Sequence, residues 1–205
     1  MNSKAKKKPG SIVLSIISVI LAAIFMTPIL WSLAVSFQKE GKQINSILDW
    51  FTPPYTFQNY PDLILGSDVT KWLFNSVFIA VLTTVLTVIL SAMAAYALAK
   101  IKFKGSNALY FYFLLGLMVP GEATIVPLFI TANGLNLIDS YAGLVLPTIA
   151  GSMNLIIMVT FFKGLPNELL EAVQIDGGGE LTAFFKVVLP LSKAVISTVC
   201  IFAFI

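Results

Sequence analysis

The amino-acid sequence predicts an all-α polytopic membrane protein, and three observations lead there. Hydrophobic residues make up 58% of the 205 positions and charged residues 11%, where an ordinary soluble domain carries about 25% charged residues. The apolar residues gather in long runs over 11–37, 72–99, 107–130 and 141–162. Each is long enough for a helix to cross the roughly 30 Å of bilayer hydrocarbon. The lysines cluster at alternate ends of those runs, as the positive-charge bias of membrane proteins requires.

Composition also narrows the chemistry. All 13 basic residues are Lys; there is no Arg and no His. Without a planar guanidinium, bidentate readout of phosphates or base edges is disfavoured, and no nucleic-acid partner is expected. Without His the usual general base and the commonest metal ligand are missing, so neither a catalytic residue nor a metal site is expected. The single cysteine, Cys200, lies in an apolar run, which disfavours a disulfide or a reactive thiolate.

Residues 1–10 hold Lys4, Lys6, Lys7 and Lys8 before a Pro9-Gly10 break and read as a cytoplasmic Lys-rich N-terminus. The first span follows over 11–37. A Lys-rich start before an apolar run is also the pattern of a signal peptide. This run, however, exceeds the ~7–15 residues of such a core and lacks a small-residue cleavage end, so an uncleaved span is expected. Residues 38–71 form a hydrophilic loop outside the membrane. Its middle, WFTPPYTFQNY over 50–60, suits an interfacial aromatic belt with a rigid turn. The second span, 72–99, ends in Ser91, Ala92, Ala94, Ala95, Ala97 and Ala99, small residues that let a neighbouring helix come close. Near its start, Asn75 either caps the first turn or packs on a partner helix. Lys100, Lys102, Lys104 and Gly105 make the next turn.

The third span, 107–130, contains MVPGEATIVP over 118–127. Pro120 removes a helix hydrogen bond and Gly121 weakens the same turn, so a kink is expected there. Glu122 then stands at or near membrane depth, where an ionised carboxylate facing lipid is costly. It must point into the bundle, reach water or be protonated. The expectation is a structural kink with Glu122 bonded to freed backbone amides or a partner helix; a place on a translocation path is the alternative. Turn formers over 132–140 lead to the fourth span, 141–162, which includes Pro147, Gly151 and Asn154.

The polar stretch 163–190 follows, with Glu168, Glu171, Asp176 and Glu180. It has room for two short helices, over 167–175 and 180–188, with Gly177, Gly178 and Gly179 as the break between them. Pro166 suits the entry to the first, where no helix hydrogen bond is lost. Leu169, Leu170 and Val173 give that helix an apolar stripe, which must pack on something. An N-terminus in the cytoplasm puts ten lysines inside and three, Lys39, Lys42 and Lys71, outside, so this loop is expected in the cytoplasm. After Lys193 only 12 residues remain, a helix of roughly 18 Å at 1.5 Å per residue. Residues 191–205 therefore read as an incomplete fifth span, and the chain as a fragment or a truncated reading frame.

Glu171-Ala172-Val173, then Asp176-Gly177, then Leu189-Pro190 resemble the cytoplasmic loop motif of permease subunits of binding-protein-dependent ABC importers. The resemblance covers essentially the whole chain and is closest to the carbohydrate-uptake, maltose-permease-like family. Val173 stands where that family usually has a second Ala, and Gly178 where it often has another small residue. Thr52, Pro53, Phe57, Asn59 and Tyr60 are similar to a segment such permeases carry outside the membrane. Pro120-Gly121-Glu122 is similar to one in their third span. The resemblance implies the type I transmembrane-domain fold of ABC importers, with six spans. It also implies an ATPase-docking loop built from Pro166, Glu168, Leu170, Glu171, Ala172, Val173, Asp176, Gly177, Gly178, Leu189 and Pro190. There Glu171 would meet a basic residue of the ATPase, and Leu170 and Val173 would supply apolar contact.

The implied partners are a dimer of ABC ATPase subunits, which would hold ATP and Mg, a second homologous permease and an extracytoplasmic solute-binding protein. The implied location is the bacterial cytoplasmic membrane. Candidates for the translocation path are Glu122, Tyr141, Met153 and Asn154, each of them also readable as a packing residue. On this reading the chain is not an enzyme: it has no Gly-rich Lys-Ser/Thr phosphate loop, so ATP is hydrolysed by a partner. The cargo would be a sugar or oligosaccharide, with another small polar solute as the alternative. An ion-driven secondary transporter would show paired intramembrane carboxylates or inverted repeats, and this chain has one such carboxylate and no clear repeat. A purely structural membrane protein has no need of an organised cytoplasmic loop.

Overall fold

The computed structural model describes residues 9–101 and 103–205, with side chains from residue 13 onward; the Lys-rich residues 1–8 and Lys102 lie outside the described residues. Regular structure among them is helical, and the chain divides into two units, Met1–Trp72 and Leu73–Ile205.

In the first unit, α1 (Pro9–Ser36) is apolar all round and exposed along almost its whole described length. Such a helix is suited to lipid or to a covering partner. Its hydroxyls do not need water: Ser18, Thr27 and Ser32 each donate to the carbonyl four residues back, at 2.8–3.0 Å. The loop that follows is ordered around Lys42. Its ammonium donates to Gln38 Oε1 at 2.6 Å and to the Asp49 carbonyl at 3.0 Å, and it also binds the Thr52 carbonyl. Asp49 in turn accepts from the N–H of Asn45 and Ser46 at 3.0 and 2.8 Å, opening a short 3-10 helix, Ile47–Phe51. These donors hold the Asp49 carboxyl below its ordinary value of 3.8. Then α2 (Asn59–Gly66) returns the chain, its Asn59 amide bonded to the carbonyls of Ser36 and Gln38.

The second unit is built on α3 (Val69–Lys100), 32 residues without a break and begun in the last residues of the first. Thr83, Thr87, Ser91 and Ala95, at spacing four, line its buried face together with Ala92 and Tyr96. Ala92, Ala95 and Tyr96 of that face belong to one buried cluster with Leu155, Met158, Val159 and Phe162 of α7 (Ser152–Lys163), Val195 and Val199 of α11 (Lys193–Phe204), and Phe184 and Val188 from the intervening loop.

Where a single kinked span over 107–130 is expected, two helices stand instead. α4 (Ser106–Gly116) and α5 (Gly121–Gly134) meet at 103°. Pro120 lacks an N–H and pushes Val119 out of helical angles. The helix has already closed four residues earlier, in tighter turns at Leu117 and Met118. The expected span 141–162 is likewise divided into α6 (Tyr141–Val145) and the 12-residue α7, with Pro147 and Gly151 between them. A further bend of 79° at Ser192 separates α11 from the helical stretch before it. Among the described residues, two helices are by length and composition long enough to cross a membrane, or four if each bent pair counts as one span.

Candidate functional site

The loop between α7 and α11 forms a compact frame around α8 (Glu168–Ile175). Helix α7 stops at Gly164, and Pro166 sits in the bend that follows, where its missing N–H costs nothing. Asn167 occupies the position before α8 but does not cap it with its side chain. Its Oδ1 accepts from Lys100 Nζ at 2.8 Å, and the same ammonium donates to the Leu165 carbonyl at 2.6 Å. The lysine at the end of α3 thus holds the start of α8. Beside it, Lys163 Nζ lies 3.9 Å from the centre of the Tyr110 ring, a cation–π contact.

The far end of α8 is closed by its glycines. Gly177 has φ +78° and donates to the Gln174 carbonyl at 3.0 Å, while Gly178 donates to the Val173 carbonyl at 2.8 Å. This is a Schellman closure, in which a left-handed residue lets two amides return to the last turn. Gly178 has no room for a side chain: a Cβ there would lie 2.6 Å from Val173 Cγ1 and 3.0 Å from the Val173 carbonyl oxygen.

After the turn, α9 (Glu180–Ala183) runs into a π-helical turn, Phe184–Val188, and then α10 (Leu189–Leu191). The widened turn precedes Pro190, which has no N–H to complete an ordinary one. Glu180 accepts a hydrogen bond from Tyr96 Oη at 2.5 Å, and the Tyr96 ring packs on Phe184 with centroids 5.2 Å apart. Sequence reasoning missed this role of Glu180, because nothing local marks a partner on α3.

The orientation of α8 divides the expected docking set. Leu170 and Val173 are half-buried, Leu170 against the core and Val173 beside Gly178, so only part of each is left for a partner. Glu168, Glu171, Ala172 and Ile175 share the outward face at helical spacing, and Ile175 is 85% exposed. Leu181, 71% exposed, lies just beyond. The spacing that identifies Ile175 was present in the sequence; which face turned outward was not. Asp176 is exposed at the end of α8, whereas Leu189 is half-buried and Pro190 exposed. A cavity of about 930 Å³ opens between the end of α3 and α8, with Lys100, Lys104, Lys163, Glu171 and Glu180 among its lining residues.

The four path candidates are not gathered into one site. Glu122 is exposed in the first turn of α5 and, among the described residues, makes no hydrogen bond or ion pair. Within the described residues of this chain, the expected bonds of its carboxylate to freed amides are not formed. An acid there still suits the positive end of the helix dipole. Tyr141 donates to Asn75 Oδ1 at 2.9 Å and meets Phe78 edge-on, which makes it a contact between α3 and α6. Met153 is exposed, and Asn154 keeps its Oδ1 buried with no partner, as does the hydroxyl of Thr87. No group of three or more metal-ligating side chains occurs among the described residues.

Comparison with known proteins adds three findings. A family model described as binding-protein-dependent transport system inner membrane component matches residues 87–205. The chain is 34% identical over 191 residues to the diacetylchitobiose uptake system permease protein NgcG of Streptomyces coelicolor, covering 91% of this chain and 62% of that one. It is 35% identical over 185 residues to the arabinooligosaccharides transport system permease protein AraQ of Bacillus subtilis, covering 89% and 66%. The chain therefore spans a little under two thirds of these relatives' length. Among solved structures, a bacterial ABC transporter involved in the import of the acidic polysaccharide alginate superposes with TM-score 0.75 at 20% identity, over 98% of this chain and 72% of that one. At that identity the match speaks for the fold: an all-α, multi-span membrane fold like that of ABC importer transmembrane domains.

Proposed function

The chain belongs to the family of binding-protein-dependent transport system inner membrane components, and from that premise we propose that it is a permease subunit of an ATP-driven importer. It performs no chemistry of its own. A separate ATPase dimer binds and hydrolyses ATP with Mg, and this subunit converts the ATPase's movement into alternating access, together with a second permease. An extracytoplasmic binding protein delivers the solute. The single observation that carries the reading is α8: a short helix held at both ends, outside the spans, with Glu168, Glu171, Ala172 and Ile175 presented outward. Such a face is suited to a groove on another protein.

The cargo is a carbohydrate. Support for this comes from relatives named for oligosaccharide uptake over about nine tenths of the chain. The N-terminus lies in the cytoplasm, in accordance with the lysine bias, so α8 faces the compartment that holds ATP. Reconstitution of the subunit with its partners, followed by uptake of labelled oligosaccharides with and without ATP, tests the reading. Uptake that depends on ATP is expected. Uptake driven by an ion gradient without ATP would replace this reading by a secondary transporter.

A further inference from the structure

Two side chains of α3 grip the loop on either side of α8. Lys100 holds the approach to it, through the Leu165 carbonyl and Asn167 Oδ1. Tyr96 holds the exit, through Glu180, and its ring packs on Phe184 one turn further along. Tyr96 and Lys100 are four residues apart and so lie on one face of α3. The turn at Gly177 and Gly178 bonds back onto α8 itself, through the carbonyls of Gln174 and Val173, so the polar hold of α3 on this loop is made by Lys100 and Tyr96.

The element gripped in this way is also the one suited to carry motion across a membrane. In this unit α4 and α5 meet at 103°, α6 and α7 are separate, and a 79° bend precedes α11; α3 alone is continuous over a full span. Toward its other end Asn75 accepts the hydrogen bond of Tyr141 on α6. From Tyr96 to Asn75 the helix is about 31 Å long at 1.5 Å per residue.

We propose that Tyr96 and Lys100 are positioning residues that make α3 the receiver of α8's movement, carried as a rigid rod to the Asn75–Tyr141 end. The assignment rests on the reading of α8 as the ATPase-docking helix. Without the two grips the polar hold of α3 on the loop around α8 is lost, and only apolar contact such as that of Leu170 with the core remains.

The test uses the assembled importer, with Cys200→Ser and Lys71→Cys so that this subunit has one thiol, at the exposed start of α3 outside the apolar run. The rate of labelling by a membrane-impermeant maleimide is measured with and without ATP plus vanadate. A change of at least threefold is expected in this background, and it is expected to disappear when Tyr96→Phe and Lys100→Met are added, with the ATPase still co-purifying. Tyr96→Phe alone keeps the ring on Phe184 and should lose part of the change. Glu180→Gln and Lys100→Arg, which keep an acceptor and a donor, should retain it. A nucleotide-dependent change that persists in the double variant overturns the proposal, as does its absence from the parent background or loss of the ATPase from the double variant. The docking reading fails separately: if Ile175→Asp keeps the ATPase bound, α8 is not the docking helix and the α3 assignment falls with it. If Ile175→Asp loses the ATPase while the double variant keeps the labelling change, only the α3 assignment is wrong.

Discussion

Gly178 returns its N–H to the carbonyl of Val173 at 2.8 Å, in a space where a Cβ would lie 2.6 Å from the valine's own methyl group. This closure ends α8 after two turns and sets Glu180 beside Tyr96. Gly177→Ala puts a side chain at φ +78°, at a cost of about 1–2 kcal/mol. Gly178→Ala forces the Val173 carbonyl away from the amide it accepts. Both should speed amide exchange across residues 168–175 by roughly 5- to 30-fold. Gly179→Ala is the control, since Gly179 has extended angles and open space, and its exchange should match the parent. Equal exchange in all three variants would mean that the glycine cap does not hold α8.

Tyr141 is bonded to Asn75, which joins α6 to α3. Tyr141→Phe removes that bond and keeps the ring on Phe78. Hydrogen bonds between membrane helices are worth about 0.6 kcal/mol on average, so a small loss of thermal stability in detergent is expected, with the KM for solute unchanged. A KM raised tenfold at unchanged stability would return Tyr141 to the translocation path.

Much of this architecture was legible in the sequence because its causes are local. An apolar run becomes a helix wherever backbone groups must be satisfied without water, and Asp176-Gly177-Gly178 specify a helix stop wherever they occur. Other features have distant causes. Pro120 announces a disturbance, but whether it bends a helix or divides it depends on what the two halves pack against. Leu170 and Ile175 are both apolar on α8, and only the body beneath decides that Leu170 is covered and Ile175 exposed. Glu180 reads as a solvated acid until α3 brings Tyr96 to it, 84 positions earlier in the chain.

The loop ordered by Asp49 should loosen in acid. Its carboxyl is held below the ordinary value, chiefly by the N–H of Asn45 and then by Ser46. A depressed folded value means that the stabilisation is complete above the ordinary value of 3.8 and is lost as pH falls through the lower, folded one. Trp50 is next in sequence, and its fluorescence should therefore change on acidification below that range. In Asp49→Asn the change should be absent. An unaltered acid transition in the Asn variant would assign it to another group.

The outward face of α8 gives the sharpest test of docking, and the tyrosine-bound Glu180 cannot serve as the neutral control. Glu171 and Ile175 lie on that face with Glu168 and Ala172, and Gln174 borders Glu171 on the cavity beside α3. An acid that stays in water is worth about 0–1 kcal/mol in any pair it makes. An acid paired in a buried interface costs about 2–5 kcal/mol when truncated, a loss of roughly 30-fold or more in affinity. Glu171→Ala should therefore weaken the ATPase by at least that factor, with membrane insertion unchanged. Ile175→Ala should weaken it too, through lost apolar contact. The measurement is titration of detergent-solubilised subunit with labelled ATPase, beside nucleotide hydrolysis by the assembled complex. Parent-like affinity in both the Glu171 and the Ile175 variants would remove this face from the interface, even if ATP still drives uptake.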